Sequence, residues 1–208
     1  QNADYLSAAK ECIKSIENKY VEAYLEEEPV PVGDPLLCRI QYKNVKRAYL
    51  RLVPVTYAQS VKFRKASMTE ELFSTLLAIK PVYQKSVDLP DLQDYRKHEG
   101  FYGIPGQPAG NYLLMISDKP FPCTANDCRE VIYYQVTDIA LYQRETIDGW
   151  EFLAVNRKTG EPLEGARITT TDKRDKKLEC VTGPNGLAQL QLNGSNYASG
   201  FSVEYQNQ

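Results

Sequence analysis

One histidine, one tryptophan and two methionines are all this 208-residue chain carries of those types. With His98 alone, most histidine-based acid–base chemistry and the zinc-hydrolase ligand sets fall away. Apolar runs stop at four or five residues, far short of the roughly 20 that span a bilayer. Neither sign of charge dominates: 25 basic side chains face 27 acidic ones, for a net charge of -2, so no basic field awaits a phosphate backbone. There is no Gly-x-Ser-x-Gly elbow, no His-Glu-x-x-His and no dinucleotide fingerprint. The first ten residues hold no apolar signal core, so the expectation is a chain whose signal was removed or a piece of a longer protein.

What is present is ordinary globular material, 42% hydrophobic and 25% charged, with an unusual wealth of tyrosine, 15 residues. Aromatic and β-branched residues fit a pleated, half-buried surface. Leu36, Cys38, Ile40 and Tyr42 alternate with Arg39, Gln41 and Lys43, the period of a strand with one face inside. The polar stretch 43–46 then reads as a hairpin turn, with 47–55 as the partner strand. Short apolar segments follow at 82–89, 98–104, 111–117 and 129–136, and a second series at 139–142, 150–155, 167–171, 177–181, 188–192 and 201–205. Asn185-Gly186 supplies turn residues of positive φ. Strand follows strand with no alternation of helices, which predicts antiparallel sandwiches.

Two helices are expected. Tyr5, Ala8, Ala9, Cys12, Ile13 and Ile16 recur at spacings of three and four, an amphipathic stripe. Ser67 and Glu70 have the spacing of a capping box ahead of Leu72, Phe73, Leu76 and Leu77, and Pro81 stops that helix. The expected organisation is a helical lead-in at 1–18, a first sandwich at 19–136 with the helix inserted, and a smaller sandwich at 137–208, compact or cut short.

The search for chemistry yields few candidates. Cys123 and Cys128 enclose four turn-forming residues and are a candidate disulfide; two free thiols or half a metal site remain open alternatives. Cys38, on the inner face, reads as a small buried hydrophobe. Asp88, Asp91 and Asp94 flank Pro90 and would serve a glycosidase as a carboxylate pair, though aspartates beside proline more often cap turns. The glycines around Pro108 have no Gly-Lys-Ser/Thr after them and form no phosphate loop. His98 sits among charges as a surface residue. Trp150 is expected in a core, with sugar stacking as its alternative. No catalytic, metal or cofactor residue is expected, and neither a nucleic acid nor a small-molecule substrate.

Several of these segments together resemble a known family. Pro35-Leu36-Leu37-Cys38-Arg39-Ile40-Gln41-Tyr42-Lys43-Asn44-Val45 is similar to the opening of a macroglobulin-like domain in bacterial alpha-2-macroglobulins. Leu89-Pro90, Asp94-Tyr95 and the hairpin through Pro108-Ala109-Gly110-Asn111-Tyr112-Leu113-Leu114 resemble its later strands. Val136-Thr137-Asp138-Ile139-Ala140-Leu141 is similar to the strand opening the next such domain, of the MG2 type. The turn Thr159-Gly160-Glu161-Pro162-Leu163-Glu164-Gly165-Ala166 resembles its Thr-Gly-x-Pro-Leu-x-Gly-Ala, with Gly183 to Gly186 after it. The likeness covers residues 20–208 and implies macroglobulin-like β-sandwiches from the N-terminal scaffold of a secreted or periplasmic protease trap. Proteases would be its partners through the full-length protein, and a membrane tether would lie outside this chain. The Cys-x-Glu-Gln thioester motif is absent, so the resemblance carries over no trapping residue. The alternative is a cell-surface adhesin or carbohydrate-binding sandwich, drawn from the tyrosines and the Asp88–Asp94 loop.

Overall fold

The structure is a computed structural model that describes residues 2–26, 28–65, 69–171, 177–191 and 200–206, and the side chains among them other than those of 2–4, 64–65 and 128–129. The fold is mainly β, and it divides into two compact units, Gln1–Val136 and Thr137–Gln208.

The first unit begins with α1 (Asn2–Glu17), then β1 (Tyr20–Leu25), β2 (Leu36–Lys43) and β3 (Arg47–Val55). Next come α2 (Tyr57–Lys65), α3 (Glu70–Ala78), β4 (Tyr83–Asp88), β5 (His98–Ile104), β6 (Gly110–Ser117) and β7 (Cys128–Val136). They form two antiparallel sheets in the orders β1-β2-β5 and β4-β3-β6-β7. Side chains of alternate residues fill the space between them: Cys38 and Ile40 from one sheet, Leu50, Leu52, Leu114, Ile116 and Tyr134 from the other.

β6 is apolar without alternation because its sheet is covered on both faces. Tyr112, Leu114 and Ile116 face the inner core. Leu113 and Met115, with Val53 and Val55 of β3, face Phe63 of α2 and Leu72, Phe73 and Leu76 of α3. Burying each such side chain contributes roughly 1.5–3 kcal/mol. Pro54 is tolerated inside β3 because the β4 ladder ends at Leu52, so the missing N–H has no partner to fail.

Three expectations are corrected here. β2 and β3 are not a hairpin: β2 pairs with β1 and β5, β3 with β4 and β6. The link between them crosses from one sheet to the other, with Val45 buried in the core and Asn44 in the left-handed region at φ 55°. Among the described residues the first unit has two inserted helices, not one. The unforeseen α2 opens with a true capping box, in which Gln59 N–H donates to Thr56 Oγ1 (3.2 Å) and Thr56 N–H to Gln59 Oε1 (2.8 Å). The N-cap of α3 is Thr69, whose hydroxyl accepts from Leu72 N–H at 3.2 Å; Ser67 lies outside the described residues. Glu70 turns instead to Ala125, accepting its N–H at 2.9 Å.

The second unit holds β8 (Ile139–Thr146), β9 (Gly149–Asn156), β10 (Arg167–Thr171), β11 (Lys177–Val181), β12 (Leu187–Gln191) and β13 (Ser202–Glu204). Its antiparallel sheets run β12-β9-β8 and β11-β10-β13. Phe152, Ile168, Ala188 and Leu190 make one inner cluster, Ile139, Ala154, Leu163 and Ala166 another. In the turn before β12 only Gly186 takes positive φ, at 73°. Asn185 does not need it, because Gly186 N–H returns to the Gly183 carbonyl at 2.9 Å, a type I turn followed by a left-handed glycine. Leu192 lies outside the described residues.

Candidate functional site

Each of the three aspartates around Pro90 is engaged by a partner of its own. Asp88 accepts from Arg47, whose Nε and Nη2 both stand 2.6 Å from Oδ1. Asp91 is held by Lys46 Nζ at 2.9 Å and by the Gln93 N–H, and both keep its carboxyl below the usual range. Asp94 accepts from the Arg96 N–H at 3.0 Å and meets His98 Nε2 at 2.8 Å. These two partners, the backbone N–H first, likewise lower its pKa. Each carboxylate serves a cation or a turn, and the lowered pKa of Asp91 and Asp94 is the opposite of what a general acid needs.

His98 opens β5 and packs its ring 5.8 Å from that of Tyr42. Trp150 on β9 is half-buried, its ring edge-on to Phe201 at 5.1 Å; it packs on the second unit's core and does not stand on a loop. Cys38 is fully buried and burial alone pushes its thiol up to about 12. Cys12 is exposed on α1. Cys123 packs beside the helices over the outer sheet face with its thiol free in the structure, while the Cys128 side chain lies outside the described residues. Among the described residues no three His, Cys, Asp or Glu side chains gather as a metal site requires, and no helix is long and apolar enough to cross a membrane.

The turn at 159–166 is built around a residue that the sequence reading passed over. Thr182, buried, donates its hydroxyl to the Leu163 carbonyl and accepts from Ala166 N–H at 2.9 Å. Its own N–H donates to the Ala166 carbonyl at 3.0 Å, and its carbonyl accepts from Gly165 N–H at 2.9 Å. Gly160 and Gly165 take φ of 75° and 81°, and Leu163 enters the core. The only signal for Thr182 in the sequence is its place just before Gly183-Pro184.

Two surfaces remain open. Tyr5 to Lys19 are all exposed along α1. Among the described residues its C-terminal end is tied down, by Lys43 Nζ to the Ser15 carbonyl (3.0 Å) and Asn44 Nδ2 to the Ile16 (2.7 Å) and Asn18 (3.0 Å) carbonyls. The outer face of β1-β2-β5 presents Leu37 and Phe101, 45% and 57% exposed. Beside them Arg39 lies over the ring of Tyr24, 4.9 Å from its centroid.

No protein-family model matches the chain, and no curated protein matches it. Solved structures do. A crystal structure of native alpha-2-macroglobulin from Escherichia coli spanning domains NIE-MG1 superposes with a TM-score of 0.61 at 13% identity, over 90% of this chain and 94% of that one. A longer piece of the same protein, MG0-NIE-MG1, gives 0.63 at 15% identity, again over 90% of this chain. A Salmonella alpha-2-macroglobulin gives 0.56 at 13% identity over 91%. The chain spans 62% of the MG0-NIE-MG1 piece and 11% of the Salmonella chain. Its fold, over nine-tenths of its length, is that of the NIE-MG1 stretch of bacterial alpha-2-macroglobulins.

Proposed function

We propose that this chain is a non-catalytic scaffold region of a bacterial alpha-2-macroglobulin-like protein, one that inhibits proteases by trapping them at the cell envelope. The observation that supports this reading is the likeness of the chain to a fragment of such a protein spanning NIE-MG1, over 90% of this chain and 94% of that fragment. Residues 19–136 and 137–208 are then two macroglobulin-type sandwiches, the first in the place of NIE and the second in that of MG1. The engagement of Asp88, Asp91 and Asp94 in turns and ion pairs supports a role by surface and not by chemistry. The chain's partners are proteases met by the whole protein, in the periplasm or outside the cell.

The test uses a longer protein containing this chain, incubated with proteases of different specificity. A trap is cut at one discrete place and leaves the protease able to hydrolyse a small peptide but not a large protein substrate. The absence of both cleavage at a discrete place and protection of large substrates would remove the trapping role.

A further inference from the structure

Between β4 and β5, residues 90–97 are all exposed, Leu92 and Tyr95 by 61% and 56%. The segment carries Leu92, Tyr95, Arg96 and Lys97, side chains that common classes of endoprotease select, and exposed loops are where proteases nick first. Yet it is pinned along its length. At its start Leu89 is buried, its N–H on the Lys46 carbonyl at 2.9 Å, and the Pro90 carbonyl accepts from the Tyr42 hydroxyl at 3.2 Å. Lys46 Nζ then holds Asp91 at 2.9 Å. One device follows twice: an aspartate accepts the N–H two residues on, Asp91 from Gln93 at 3.2 Å and Asp94 from Arg96 at 3.0 Å. Gln93 and Tyr95 take φ of 53° and 58°, a region that bulky side chains rarely enter. At the far end Asp94 meets His98 Nε2 at 2.8 Å, and Lys97 Nζ lies over the ring of Tyr20, 3.6 Å from its centroid.

We propose that this loop is locked against proteolysis, with Asp94 as the positioning residue of the lock. An endoprotease takes the chain around the bond it cuts as an extended strand, with negative φ throughout. Tyr95, immediately before Arg96, has the opposite sign, so neither the bond after Arg96 nor the bond after Lys97 can be seated. The charge of Lys97 is in addition already placed on Tyr20. Cleavage therefore waits for the loop to open, and its rate follows the open population. Asp94 governs that population because one carboxylate holds both the turn at Tyr95 and His98 at the start of β5. The lock is a property of this chain alone; only its value, survival among the proteases that the protein meets, rests on the function proposed above.

Trypsin digestion of the whole chain tests this, with initial cleavage after Arg96 and Lys97 followed by mass and compared with a synthetic peptide of residues 88–100. The unsubstituted chain is expected to be cut there about a hundredfold more slowly than the peptide. Asp94→Ala quickens cleavage about tenfold or more, the loss of hydrogen bonds to a charged group. Asp94→Asn, which keeps an acceptor for the Arg96 N–H, quickens it less. Hydrogen exchange gives a second reading: Asp94→Ala frees the Arg96 N–H while the paired amides of β2 and β5 keep their protection. Cleavage as fast as in the peptide, or a rate indifferent to Asp94→Ala, overturns the proposal. So does equal acceleration at every site in the chain, which would mean that the carboxylate supports the fold at large and not this loop. A longer protein that traps no protease leaves these rates untouched, so the two readings fail separately.

Discussion

Gly106 and Gly33 lie backbone against backbone: a β-carbon on Gly106 would stand 1.9 Å from the Gly33 carbonyl oxygen. Nearby, Gly33 N–H donates to the Gln107 carbonyl at 3.0 Å, so two loops distant in sequence are closed on each other. Gly106→Ala cannot be absorbed by a rotating side chain, because the obstacle is main chain. The expected cost is about 1–3 kcal/mol or more, read as a lowered urea midpoint. Gly103→Ala, made in open space, leaves that midpoint within about 0.5–1 kcal/mol of the original.

Arg51 ties β3 to the end of α3. Its Nη2 donates to the Leu77 and Ile79 carbonyls at 2.9 Å each and its Nη1 to Gln84 Oε1 at 2.6 Å. Arg51→Met keeps the stem and drops the three bonds. A loss of about 2–3 kcal/mol is expected, with faster hydrogen exchange concentrated in 70–78.

The cysteines differ in their access to reagent. Cys12 is exposed and reacts with a thiol reagent at once. Cys38, buried with its thiol pushed up to about 12, reacts only on unfolding. Peptide mapping after brief alkylation should find Cys12 labelled and Cys38 not. Early labelling of Cys38 would mean that the two sheets part readily.

For Cys123 and Cys128 we expect a disulfide in protein prepared under oxidising conditions. Intact mass, with and without reductant, should differ by two hydrogens, and the bridged peptide should contain both residues. Two alkylated thiols in the unreduced protein would refute the pairing.

Asp127 makes part of the stability acid-sensitive. Lys119 at 2.6 Å, followed by the Thr124 hydroxyl, holds its carboxyl down to about 2, below the unfolded value of about 3.9. Its contribution is therefore full above about pH 4 and is lost as pH falls towards 2. Asp127→Asn should flatten the fall in urea midpoint across that window and leave the slope above it unchanged.

How much of this was legible depended on whether a pattern had one cause. β2 alternates because one face is buried and the other is not, and its bounds follow from Leu36 to Lys43. Its partner did not follow. A polar link between two alternating strands fits a hairpin and a crossing between sheets equally well. Only the burial of Val45, a non-local fact, separates them. α2 escaped because its stripe is thin, with Ser60 and Phe63 its buried residues among those described, although Thr56 and Gln59 announced its start. The aspartates were visible as a cluster, but their engagement by Lys46, Arg47 and turn N–H groups depends on which strands meet. The closeness of Gly106 to Gly33 leaves no trace in composition or spacing.

Asn44 has a mechanical consequence. A helix of 16 residues is about 24 Å long, and α1 is gripped at one end by the residues where the chain passes from one sheet to the other. It is a lever with its fulcrum at that passage. Force applied at its other end would be delivered, with long mechanical advantage, to the main chain on either side of Val45. Tension on that segment would thus be felt first between the two layers of the sandwich, and Asn44→Ala would remove two of the three hydrogen bonds of that grip, leaving Lys43 to the Ser15 carbonyl.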